Sequence, residues 1–166
     1  LCILMFCVGF SIGNDKTTFH QFKNIPLRYL FLPLFTLLGT LIGVFCIALL
    51  SGSKHISEYL AIGSGFGYYS LSSILITQYK GISLGAIALL ANVFREVITL
   101  IFAPLMVKYF GSLAPIAAGG ATTMDTTFPI IVKSSGNEYV ILSIYHGFIM
   151  DLSVPFLVTL FCLLKF

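Results

Sequence analysis

The sequence predicts an all-α polytopic membrane protein: five full spanning helices, a truncated one before them, and two of the five broken by glycine. Three observations predict it. The chain is 58% hydrophobic and only 9% charged, where soluble domains carry roughly 25% charged residues; charge is too scarce to coat a water-facing surface. Its mean hydropathy is +1.02. The apolar residues fall in long runs, most near the 20 or so needed to cross a hydrocarbon core of about 30 Å. Residues 1–166 make a single transmembrane domain, since no long polar insertion marks a second.

The first apolar run, Leu1 to Gly13, has 13 residues, about 20 Å of helix. That is too short to span. No A-x-A-like cleavage site follows it, as a secretory leader would require. It reads as the second part of a spanning helix whose natural beginning is missing. A polar loop, Asn14 to Pro26, then holds Asp15, Lys16, His20 and Lys23. The second span runs from about Leu27 to Leu50, with Arg28 at its edge; Gly39, Thr40 and Gly43 offer it a face for close helix packing. After Lys54, His55 and Glu58, the third span, Tyr59 to Gln78, is interrupted by Gly63-Ser64-Gly65-Phe66-Gly67 and ends at Lys80-Gly81.

The fourth span, Ile82 to about Val107, contains Asn92, Arg95 and Glu96. The fifth, Ser112 to Val132, is broken from Gly119 to Thr127 and by Pro129, which removes a backbone hydrogen bond. A polar turn, Lys133 to Glu138, leads to the sixth, Tyr139 to Leu164, with His146, Asp151 and Pro155. Alternating crossings put Lys16, Lys23, Arg28, Lys80 and Lys133 on one side and Lys54, Lys108 and Lys165 on the other. The richer side is the cytoplasm, and both chain ends lie outside. A shift of 55 residues superposes Gly65 on Gly120, Ser72 on Thr127, Gly81 on Gly136 and Glu96 on Asp151. A broken span followed by a long span with a central acid thus occurs twice, both copies running in the same direction.

Several function classes fall away. The net charge of +3 comes from short basic loops, without the Lys/Arg cluster a nucleic-acid surface needs. Cys2, Cys7, Cys46 and Cys162 stand alone in apolar segments and read as small buried hydrophobes. No His, Cys or acid pair has ligand spacing, so neither metal nor other cofactor is expected. An intramembrane enzyme is disfavoured, because no Ser/His or paired-Asp spacing is present.

What remains is charge at membrane depth. Glu96, Asp125 and Asp151 each lie near the middle of an apolar stretch, where an ionised group costs about 2.5–3.5 kcal/mol on insertion scales and usually faces a polar cavity or a partner. Asn92 and Glu96, four residues apart, share a helix face, and Arg95 lies about 100° around the axis. Glu96 can exchange a proton as a charged substrate arrives or leaves. Arg95 stays charged; it either biases Glu96, binds a carboxylate, or makes a structural ion pair with a neighbouring helix. At Gly119 and Gly120, a break bordered by Thr122, Thr123, Thr126 and Thr127 frees N–H groups for a ligand's carboxylate. Asp125 could instead be an N-cap of the second half-helix, a task that Thr126 or Thr127 could share. In the sixth span Ser143, Gly147 and Asp151 form a thin polar stripe. His146 is either a proton relay or a hydrogen-bonded core residue.

These residues together, Asn92-x-x-Arg95-Glu96, Ala103-Pro104-Leu105, Gly119-Gly120-Ala121-Thr122-Thr123-Met124-Asp125-Thr126-Thr127-Phe128-Pro129 and His146-Gly147-Phe148, resemble the LysO family of bacterial lysine exporters. Val8-Gly9-Phe10-Ser11-Ile12-Gly13 is similar to that family's span before its first long basic loop. The resemblance implies export of L-lysine and toxic lysine analogues across the bacterial cytoplasmic (inner) membrane, against protons. It also implies about eight helices in a full member, of which this chain resembles the C-terminal two-thirds. Glu96 would be the membrane acid the chain supplies, while an acid in the family's N-terminal third has no counterpart. The partners expected are membrane lipid, L-lysine and protons; either the sequence is a fragment or a small second subunit supplies the missing N-terminal helices, and a homo-oligomer is the alternative partner. Two rivals stand beside this reading: a proton- or sodium-coupled carrier of another solute, and a non-catalytic subunit of a membrane complex.

Overall fold

The computed structural model describes residues 27–52 and 55–164. The truncated first span (1–13), the loop with Lys16 and Lys23, and Lys54 and Lys165 lie outside the described residues. Every element among those described is helical: α1 (Leu27–Leu30), α2 (Leu32–Leu50), α3 (Ile56–Gly63), α4 (Tyr69–Lys80), α5 (Ile82–Phe110), α6 (Ala114–Gly119), a 3-10 turn (Gly120–Met124), α7 (Phe128–Ser135), a second 3-10 turn (Asn137–Tyr139) and α8 (Val140–Leu163).

Three stretches are long and apolar enough to cross a membrane, Leu32–Leu50, Ile82–Phe110 and Asn137–Leu163. Their outward side chains, among them Phe35, Ile42, Phe94, Ile101 and Phe156, are exposed, as residues that meet lipid should be. The inward stripe of α5, Gly85, Ala88, Asn92, Thr99 and Ala103, consists of small or polar residues that let neighbouring backbone approach. Gly85 shows why: a Cβ there would collide with the Thr77 side chain and the Ser73 carbonyl of α4. Gly39 and Gly43 have nothing within 4 Å where a Cβ would stand. The close packing expected of them is therefore absent among the described residues.

The two interrupted segments do not cross. Ser135, at the end of α7, donates its hydroxyl to the Ser112 carbonyl just before α6, at 2.9 Å. Ile116 of α6 and Ile131 of α7 bury into one cluster. A crossing segment would hold Ser112 and Ser135 about 30 Å apart, so α6 and α7 form a hairpin that enters and returns on the same side. The first interrupted segment behaves alike: α8 packs against both of its arms, α3 and α4, and Cys162 at the end of α8 lies within electrostatic range of Glu58 near the start of α3 and Lys80 at the end of α4. Short arms explain the correction to the five-span expectation: α3, α6 and α7 have 8, 6 and 8 residues, only about 9–12 Å each.

Re-entry also reverses the repeat. Each unit is a hairpin, a left-handed glycine (Gly81 at φ +97°, Gly136 at φ +109°), and a long helix. Because the hairpins open at opposite ends, α5 and α8 run in opposite directions. The 55-residue echo is an inverted repeat of the kind common in transporters, where the sequence pointed to a parallel one. Lys80 and Lys108 exchange sides as a result.

Cysteines placed at 112 and 135, in a chain freed of its own four, are expected to be joined by a short bifunctional thiol reagent in intact membranes. Both should also react with an impermeant reagent from the same side. Labelling from opposite sides would restore the crossing segment.

Candidate functional site

The site is built where the two hairpin tips meet. Phe66 and Gly67 take φ of +46° and +92°, and Gly120 takes +65°, left-handed values that a bulky residue such as Phe66 seldom adopts. These turns bring backbone onto backbone. The Ala121 amide donates to the Phe66 carbonyl at 2.9 Å, and a Cβ on Gly67 would stand 3.1 Å from the Gly119 carbonyl. Unwound backbone at this depth survives only when its polar groups are satisfied inside the protein, and the polar residues of α5 do that.

Asn92 serves the first tip. Its Oδ1 accepts the Gly67 amide at 2.7 Å, and its Nδ2 lies 2.9 Å from the Ala88 carbonyl and 3.3 Å from that of Ile62. Arg95 serves the second. Nε donates to the Ala118 carbonyl at 2.7 Å and Nη2 to that of Ala117 at 3.1 Å, placing a cation on the negative, unsatisfied end of α6. The Phe66 ring lies 5.8 Å from the guanidinium carbon, so one aromatic side chain and one cation touch both tips. Arg95 does not turn to Glu96, and no ion pair to a neighbouring helix forms among the described residues. Glu96 is half-buried on α5, without a hydrogen bond or ion pair among the described residues.

The break at Gly119 and Gly120 was expected to offer free N–H donors and threonines to a ligand; most of them are occupied. The Ala121 amide is spent on Phe66, and the Thr127 amide donates to the Thr122 carbonyl at 3.1 Å. Thr122 Oγ1 donates to the Gly119 carbonyl at 3.0 Å and lies 3.1 Å from Thr127 Oγ1. Thr123 Oγ1 is 2.9 Å from the carbonyls of both Gly120 and Ser143. A tight turn between two short arms consumes its own polar groups. Asp125 is not the cap of α7: that position is held by Thr127. Instead Asp125 Oδ1 accepts the amide of Thr126 and, at 3.2 Å, its hydroxyl. Both residues are exposed.

On α8 the polar stripe faces the second tip. A Cβ on Gly147 would stand 2.8 Å from the Met124 amide and the Thr123 hydroxyl, so only glycine lets the tip seat. Ser143 Oγ is buried without a partner among the described residues. His146 is fully buried and bridges α2 to the tip, with Nε2 3.0 Å from Thr36 Oγ1 and Nδ1 3.4 Å from Thr123 Oγ1. Asp151, half-buried, feels the charge of Asp125, and Tyr68 beside the first tip feels both. The structure thus puts Asp125, Asp151 and Tyr68 within electrostatic range of one another, a loose acidic cluster, and Arg95, Asn92 and Glu96 on the long helix α5.

Phe66, Tyr68 and Thr36 escaped the sequence reading. The glycines around Phe66 signalled a turn, yet nothing in a Phe or Tyr marks it as a tip residue. Thr36 acquires its partner from a helix more than a hundred residues away.

A family model described as lysine exporter LysO matches residues 1–162. Lysine exporter LysO of Escherichia coli (strain K12) is 34% identical over 164 residues, which cover 97% of this chain and 53% of that protein. A Haemophilus influenzae protein named "Putative lysine exporter" is 35% identical over 161 residues, 97% of this chain and 81% of its own length. The chain spans about half the length of the first relative. No solved structure matches.

Proposed function

Since this chain belongs to the lysine exporter LysO family, a family of transporters and not of enzymes, we propose that it exports L-lysine and toxic lysine analogues across the bacterial cytoplasmic membrane in exchange for protons. One observation carries the reading: two re-entrant tips share a backbone contact, with an acidic cluster, Asp125 and Asp151, on one flank and Glu96 on the helix behind. The cluster and Tyr68 hold the ammonium of lysine. Glu96 takes up a proton as the cation leaves and gives it back on the other side, so one site serves both species in turn. His146, hydrogen-bonded to α2, and the threonines of the tip keep the second hairpin seated while this happens.

With Lys80 and Lys108 exchanged, Arg28, Lys108 and Lys133 among the described residues share the end where α2 begins, against Lys80. The basic excess makes that end cytoplasmic, and the α6–α7 hairpin opens to the cytoplasm.

Proteoliposomes loaded with unlabelled lysine are expected to accumulate radiolabelled lysine by counterflow, faster under an opposing proton gradient. If lysine neither drives counterflow nor competes, while another solute does, lysine export is the wrong assignment.

A further inference from the structure

We infer that the free edge of the Arg95 guanidinium is a subsite for the α-carboxylate of an amino acid, set in the crevice between α2 and α5. The inference rests on the transport reading above and deepens it. A guanidinium has five N–H donors, and two of them are spent on the Ala117 and Ala118 carbonyls. The remaining donors, all of Nη1 and one of Nη2, have no acceptor among the described residues. Arg95 lines two adjoining crevices, of about 350 Å³ and about 500 Å³, both of which it shares with Thr40 and Ala91.

Among the described residues no acidic side chain lines either crevice. Within them, a permanent cation at membrane depth is left with carbonyl dipoles and an aromatic face, and with no counter-charge. Small residues keep the approach open: Gly39 has nothing within 4 Å, and Ala91, Ala117 and Ala118 add little bulk. The fork of a guanidinium matches a carboxylate by two parallel hydrogen bonds, and its backbone bonds and the Phe66 ring fix the plane of that fork. The remaining walls, including Val44, Ile47 and Ile62 in one crevice and Phe94 and Ile98 in the other, are apolar and suit an aliphatic stem. The spent amides of the Gly120 turn make this the better carboxylate site of the two that the chain offers.

Binding to the purified full chain is measured for three probes. L-lysine carries both charges, cadaverine keeps the ammonium groups without the carboxylate, and alanine keeps the carboxylate without the ε-ammonium. The wild type is expected to prefer lysine to cadaverine by about tenfold to a hundredfold, the range of a charge-assisted hydrogen bond. Arg95→Gln should bring the two to parity. Ala91→Leu narrows both crevices while leaving the Ala117 and Ala118 bonds intact, and should weaken lysine and alanine alike even if Arg95→Gln fails to fold. A preference for lysine that survives either substitution in folded protein, or parity already in the wild type, overturns the subsite and leaves lysine export standing. Alanine bound through Arg95, with lysine no better, sinks lysine as substrate and keeps the subsite. Binding of none of the three overturns both.

Discussion

Glu96→Gln is expected to abolish proton-driven lysine export, to below about a hundredth of the wild-type rate, the size of effect typical of losing a proton-transferring group. Membrane insertion and folding should be unaffected. The expectation separates chemistry from architecture because of what Glu96 lacks. Its neighbours on α5 hold backbone in place: Asn92 accepts the Gly67 amide, and Arg95 donates to the Ala117 and Ala118 carbonyls of α6. Glu96 itself makes no hydrogen bond or ion pair among the described residues, so glutamine, equal in size and uncharged, breaks nothing that holds the fold. What it removes is the ability to alternate between a charged and a protonated form. Counterflow and gradient-driven export, assayed side by side in vesicles, give the check. Export that persists at the wild-type rate would move the coupling step elsewhere, with Asp151 next in line. A loss of protein from the membrane would instead make Glu96 an assembly residue.

The three long helices were legible because an apolar run of spanning length has one physical outcome. The breaks were legible too, since Gly63 to Gly67 and Gly119 to Pro129 collect the residues that weaken a helix. Direction after the break was not. A half-helix, a turn and a second half-helix have the same composition whether the second half goes on or comes back. Only a contact such as that between Ser135 and Ser112 tells them apart. The site divides along the same line. Glu96, Asp125, Asp151, Asn92 and Arg95 stood out as polar residues in apolar surroundings, which sequence displays directly. Their partners did not, because the acceptors of Arg95 and the donor to Asn92 are backbone groups, present at every position and marked at none. The internal echo carried more information than its residue matches alone: Gly81 and Gly136 are paired in conformation as well as in sequence, and the direction of the two units follows once both hairpins are seen to return.

Gly120→Val, by contrast, is expected to destroy the folded protein, and Gly39→Val to leave it intact. The two substitutions add the same atoms to the same residue type, so their difference isolates the tip contact. At Gly120 the new Cβ would run into the Phe66 carbonyl, and the backbone would have to hold φ +65° with ψ −125°, a sparsely populated combination that costs a non-glycine of order 1–3 kcal/mol. Separating the tips to make room breaks the bond between the Ala121 amide and the Phe66 carbonyl and pulls the Ala117 and Ala118 carbonyls from Arg95. Each buried group left without a partner costs about 1–3 kcal/mol. The sum is comparable to a net stability of roughly 5–15 kcal/mol, so little folded protein should remain. At Gly39 a Cβ meets nothing within 4 Å, and valine inside α2 is a better helix former than glycine. Size-exclusion profiles and thermal unfolding of the two variants in detergent decide the matter. Equal behaviour of both would mean that the hairpin tips do not rest on one another, and the carboxylate subsite and the acidic cluster would lose the scaffold that holds them.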